Sequence, residues 1–485
     1  MRSPHSCRVG LRASAPAPLC APGDRRQGPG EALGKGRGSL RRPDDGRAET
    51  GRIARARAIR PITKGVSGLL LPDDFHCRDD GDRAVLALAG ELADRCAARA
   101  AAHDREGTFP HENIELLRAA GYLALTVPAG CGGGGAGVFR MVLGQERLAR
   151  GDGSTALAVG WHLFTIGRLA QASPWPAAAV RRVLQEAAAG GLINAAVSEP
   201  ETGSPSRGGR PTTTARRTGA GTWRIDGRKT FTTMAPALTT FVVSATVEEL
   251  GRTGSFLVGR GAPGLRVEET WDALGMRGSG SHDLVLDGVE VPEDALVEPN
   301  LQPDRGEGPA GAEVRGGPTA GWNLHIPAAY LGVARAAVDF ATAYAATRRP
   351  NSIQGPIAEV PHVQQKLGRM QRELLPAYQL LFTLARRWDD DPAARGLLGQ
   401  PVAACKLVVM DAALAAVDLA MRVVGGAGLS RRLPLERYYR DVRPGLHNPP
   451  MEDAALAGFA RHAVAEVAPA GPREAGASGP HPPAP

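Results

Sequence analysis

AVSEPETGS (196–204) and WRIDGRKTFTT (223–233), joined by a polar connector, decide how this chain is read. A hydroxyl-rich turn runs into β-forming residues, and Asp226-Gly227 carries the two-residue turn signal of a β-hairpin. The segment offers short hydroxyl side chains, free backbone N–H groups and one aromatic, Phe231. A flat, phosphate-bearing heterocycle is held by such a set.

Working outward, residues 191–300 hold further short β-rich runs, LINAAVS, TFVVSATV, GSFLVGR, LRVEETW and DLVLDGVEV, broken by Gly, Asp and Pro. That rhythm predicts an antiparallel barrel or sandwich. Upstream, residues 72–190 read as helices with apolar residues three and four apart. Within them VPAGCGGGGAG (127–137) contains a formal GxGxxG, but no second strand with a partnering acid follows, so a dinucleotide fold is rejected. Downstream, a Gly/Pro-rich linker (301–318) leads to 319–468, where 320–347, 358–389, 398–424 and 450–467 predict a four-helix bundle. The expected class is α+β: helical front, middle β domain, helical bundle.

The net charge of +8 is unevenly placed, because residues 1–64 hold 15 Lys/Arg against 5 Asp/Glu. Residues 1–71 are rich in Gly, Pro and Arg and are expected to be a disordered basic tail, as are 469–485. Without aromatics to stack bases on, the tail does not read as a nucleic-acid arm. No charge-free apolar run reaches 18 residues, so no membrane span is expected. The six cysteines show no metal or disulfide spacing, which fits a reducing cytoplasm.

With these residues in view, the chain resembles the acyl-CoA dehydrogenase superfamily. The likeness rests on AVSEPETGS, KTFTT, WDALGMRGSGSHDLVLDGVEVP (271–292), VVGGAGLSRRLPLERYYRD (423–441) and the Asp104–Pro110 region, in the family's order. It implies FAD as cofactor. Ser198 and Thr233 match hydroxyl contacts to the flavin, Phe231 the stacking aromatic, and Ser204 the residue beside the pyrophosphate. Val197, Gly203 and Thr232 complete that set. Arg422, Gly425 and Gly426 match a glycine turn that the family lays against a neighbouring subunit's cofactor, with Arg in place of the usual Gln. Arg348 or Arg349, of which Arg349 is the chosen position, matches an arginine on phosphate. The resemblance also implies a homodimer or homotetramer, an acyl-CoA substrate, and an electron-transfer flavoprotein or flavin reductase as partner.

The family's catalytic Glu falls on Pro449, inside GLHNPPMEDAA (445–455), and its other location falls near Asn323 and Leu324. The candidates left for proton transfer are His447, Glu452 and Asp453, with His325 nearby. Glu452 and Asp453 also suit the first turn of a helix. His447 with the proline after it resembles the flavin-dependent monooxygenase branch, where reduced flavin meets oxygen. Three functions follow: dehydrogenation of an acyl thioester, which is the leading expectation, a two-component monooxygenase, or a flavin-binding scaffold.

Overall fold

The computed structural model describes residues 69–202, 209–301 and 317–467. The expectations for both tails and for most of the linker lie outside the described residues, as do Gly203 and Ser204.

Five helices open the described chain: α1 (Asp80–Glu106), α2 (His111–Ala119), α3 (Val138–Ala149), α4 (Gly153–Gln171) and α5 (Ala177–Ala188). Their ends follow local chemistry. The Asp79 side chain accepts the Asp82 N–H at the start of α1, and Asp152 accepts the Ser154 N–H at the start of α4, satisfying otherwise unpaired helix donors. Helix α4 is apolar nearly all round and is buried accordingly. The glycine-rich turn before α3 packs on itself, with Gly135 N–H donating to the Val127 carbonyl.

The middle region is one sheet of eight strands: β1 (Ile193–Ala196), β2 (Thr214–Arg217), β3 (Thr222–Thr232), β4 (Thr240–Val247), β5 (Arg252–Gly259), β6 (Leu265–Glu268), β7 (His282–Pro292) and β8 (Leu296–Leu301). The order is β6-β7-β3-β2-β4-β5-β8, with β1 paired to β4. Most pairs are antiparallel as expected, while β1–β4 and β2–β4 are parallel. The inner face buries Trp223, Ile225, Phe241 and Phe256, and each such side chain contributes roughly 1.5–3 kcal/mol on leaving water.

One local expectation is corrected. Asp226-Gly227 is not a turn but lies inside the continuous strand β3, at a bulge facing β7. Asp226 is held there by the Gly288 N–H at 2.6 Å and by Arg224 at 3.0 Å. The hairpin turn falls earlier, between β2 and β3, where Thr218 N–H donates to the Thr222 carbonyl and Gly221 takes φ 74°.

The bundle comprises α6 (His325–Thr347), α7 (Pro361–Asp390), α8 (Gly399–Val424) and α10 (Glu452–Val467), with a short α9 (Leu435–Asp441) between the last two. Helix α6 packs on α3 as well as on α7 and α8, so the front helices and the bundle share a core. A buried network crosses that seam. Arg335 of α6 donates to Glu146 of α3 at 2.9 Å, Arg150 donates to Asp339 at 2.9 Å, and Asp73 accepts from both arginines.

Candidate functional site

Strand β1 delivers Val197 and Ser198 at its end, and the next residue, Glu199, turns fully inward. Its carboxylate takes the Lys229 ammonium at 2.6 Å, the Thr213 N–H at 3.0 Å, the Thr212 N–H at 2.6 Å and the Thr212 and Thr202 hydroxyls. Burial alone would raise this carboxyl. Lys229 and the Thr212–Thr213 donors outweigh that and lower it to about 2. Glu199 is therefore an internal anchor that leaves Ser198 half-buried, with its carbonyl accepting the Thr230 N–H at 2.9 Å.

At the far end of β3, Phe231 is 62% exposed and has φ 54°. Met234 has φ 66° and Met276 has φ 53°. Among the described residues these are the non-glycine positions in the left-handed region, and all three lie within this one site. Such backbone costs on the order of 1–3 kcal/mol per residue and concentrates where a fold holds something else in place.

Thr233 shares a hydrogen bond with Ser281 at 3.0 Å, and Ser281 with Ser279 at 2.8 Å. Asn194 of β1 donates to the Thr233 carbonyl at 3.0 Å. The Thr232 hydroxyl is buried beside them with no partner. Trp271 packs edge-on to Phe231 at 6.1 Å, and its indole N–H donates to the Met276 carbonyl at 2.9 Å. Asp441 at the end of α9 accepts the Met276 N–H at 2.7 Å. Burial lifts the Asp441 carboxyl to about 7, against the pull of Arg437.

The segment after α9 packs on the bundle and carries the remaining candidates. Tyr330 of α6 donates to the Asn448 side chain at 2.5 Å, steadying the turn that contains Pro449. His447 is exposed, and among the described residues its ring makes no hydrogen bond in the protomer. Glu452 and Asp453 are exposed in the first turn of α10. His325 is fully buried against Trp161 and Phe164, and its Nδ1 faces the Trp322 carbonyl at 3.0 Å. Burial holds it neutral, its pKa lowered to about 4.

Ser198, Phe231, Thr232 and Thr233 thus stand together. Arg349, Arg422, Gly425 and Gly426 do not join them through any hydrogen bond, ion pair or ring contact within the described protomer. Both arginines are exposed, and a Cβ on Gly425 or Gly426 would meet open space. Sequence reasoning missed Trp271, Ser279, Ser281, Asn194 and Asp441. All five fall in quoted stretches, yet only tertiary contact shows what they touch.

The site fits a flavin. An exposed aromatic, a buried hydroxyl without a partner and a row of serine and threonine hydroxyls offer a stacking face and polar contacts to a heteroaromatic ring. Helical front, flavin-type sheet and helical bundle define an acyl-CoA dehydrogenase class of flavoprotein. Sequence profiles of that family match for the N-terminal domain at residues 80–175, the middle domain at 194–289 and the C-terminal domain at 323–445. The chain belongs to the acyl-CoA dehydrogenase family, and FAD is its cofactor.

The chain is 50% identical over 379 residues to the putative acyl-CoA dehydrogenase YdbM of Bacillus subtilis, covering 78% of this chain and 96% of that one. It is 34% identical over 378 residues to L-evernosamine nitrososynthase of a Micromonospora species, covering 75% and 85%. The structure of KijD3 in complex with dTDP superimposes with a TM-score of 0.70 at 29% identity, covering 82% of this chain and 99% of that one. No described helix is long and apolar enough to cross a membrane.

Proposed function

We propose that this protein is a flavin-dependent monooxygenase of the acyl-CoA dehydrogenase family, working on a small molecule with a separate flavin reductase in the cytoplasm. One observation carries the reading: the turn where the family keeps its carboxylate base holds Pro449, with Asn448 tied to Tyr330 and His447 exposed beside it. Proline has no proton to exchange. Glu452 and Asp453 sit in the first turn of α10, where a helix N-terminus favours acids whatever the chemistry. Imidazole can give and take a proton near neutral pH. The relationship to a nitrososynthase supports the same direction.

Bound flavin would supply the two-electron activation of oxygen. The chain's own part is to present Phe231 to the ring face, to hold the ring edge with Thr233 and Ser198, and to move a proton at His447. Arg349 and the Arg422, Gly425 and Gly426 turn are assigned to FAD through a homo-oligomer, the turn reaching a neighbour's cofactor.

The dehydrogenase reading is supported by the names of the Bacillus relative and of the short-chain specific acyl-CoA dehydrogenases that the chain also resembles. Anaerobic titration of the oxidised flavoprotein with a panel of acyl-CoAs separates the two. No bleaching by any acyl-CoA, with oxygen-dependent turnover once a flavin reductase is added, is the expected result. His447→Ala should then lower product formation by ~10²–10⁴-fold, while Glu452→Gln and Asp453→Asn stay near wild type. Bleaching by an acyl-CoA that is lost in Glu452→Gln or Asp453→Asn reverses the assignment.

A further inference from the structure

The loop between β6 and β7 reaches from the flavin wall to the helical bundle. Trp271 touches Phe231 at one end, and its indole N–H is bound to the carbonyl of Met276. Met276 itself stands in left-handed backbone and spends its N–H on Asp441 at 2.7 Å. Gly275 lies so close to the Arg440 carbonyl that a Cβ there would overlap it. Arg440 donates to the Leu274 carbonyl at 3.0 Å and grips Asp104 of α1 at 2.8 and 2.6 Å, and Arg277 donates to the Asp104 carbonyl at 2.7 Å. The loop is thus clasped by the end of α9. Six residues further on, the same chain supplies His447.

A residue with a side chain does not hold a left-handed conformation without something to fix it. At Met276 the N–H is held by Asp441 and the carbonyl by Trp271, so a change at the carboxyl is transmitted to the indole through a single residue. The Phe231–Trp271 pair is therefore referred to Asp441 at the end of α9.

We propose that Asp441 is a positioning residue, which through the Met276 amide sets the Trp271–Phe231 wall against the flavin. It rests on the flavin site and holds for either reaction. Its failure is thus distinct from failure of the monooxygenase reading.

The test uses full-length protein, with Asp441→Ala, Asp441→Asn and Trp271→Phe variants. Two readouts are taken: hydrogen exchange of the 271–281 amides in the apoprotein, and the visible spectrum and dissociation constant of bound FAD. Asp441→Ala should speed exchange in 271–281 at least about tenfold, shift the flavin band and weaken FAD about tenfold. Asp441→Asn keeps an oxygen acceptor and should restore all three. Unchanged exchange and spectrum in Asp441→Ala overturn the proposal, as does an Asn variant as impaired as the Ala variant. If Asp441→Ala does not fold, Trp271→Phe decides, since it cuts the far link of the same chain. Faster exchange at 274–278 with a shifted flavin band supports the proposal, and wild-type values there overturn it.

Discussion

Lys229 and Glu199 meet at 2.6 Å with neither side chain exposed, directly beneath the segment that carries Ser198. Removing one partner strands the other charge in the interior. Lys229→Met should destabilise the fold by about 3–5 kcal/mol and loosen FAD, because Glu199 also gathers Thr202, Thr212 and Thr213. The double change Glu199→Leu with Lys229→Met should cost much less than the single one. Denaturant unfolding of the two variants checks this, and equal losses would count against the anchor role.

Acid stability should follow the paired carboxylates. Asp73 and Asp82 are also held down to about 2, because their arginine partners outweigh burial. A folded-state pKa below the usual 3.8–4.5 means stability present above that range and lost as pH falls toward 2. Asp441 has the opposite sign: raised from 3.8 to about 7, it binds its proton more tightly in the folded protein. Its contribution therefore falls as pH rises from about 4 to 7. Unfolding free energies measured across pH 2–8 should show an acid limb, and Asp441→Asn should flatten the slope between pH 4 and 7.

Phe231 is 62% exposed, so it contributes little to the core. Phe231→Ala should leave the melting temperature of the apoprotein within a degree or two while weakening FAD up to about tenfold, the worth of one aromatic stacking contact. Flavin fluorescence titration and thermal melting together test it. A large drop in apoprotein melting with unchanged FAD affinity would be the contrary result.

A Cβ on Gly426 meets nothing within 4 Å among the described residues, so the first carbon of Gly426→Val is tolerated there. If the turn lies against another subunit's cofactor, as proposed, the variant should retain less FAD and shift toward smaller assemblies in light scattering. An unchanged assembly with full FAD retention would detach this turn from the cofactor.

The layout of the fold was legible because its signals are local. Apolar spacing marks α1 to α8, and β-forming runs cut by glycine mark the sheet. The Asp226-Gly227 reading failed because a turn signal between β-formers also describes a bulge, and the Gly288 N–H that chooses between them arrives from β7. Ser198, Phe231 and Thr233 were singled out by motif, and the Thr230–Ser198 pairing brings their segments side by side. Met276 and Asp441 lie 165 residues apart in the chain, and no spacing reports such a pairing. His447, Glu452 and Asp453 were chosen for their place beside the family's base position, and sequence does not report that all three are exposed or that a tyrosine on a different helix holds Asn448 between them.

That long reach between Met276 and Asp441 sets a timetable for biosynthesis. Front helices and sheet leave the ribosome first, with the flavin wall already made but its clasp still unsynthesised. A chain halted before residue 441 would carry Phe231, Thr233 and Trp271 and still lack the group that fixes Met276. The flavin wall is thus completed only when the last part of the chain has been made.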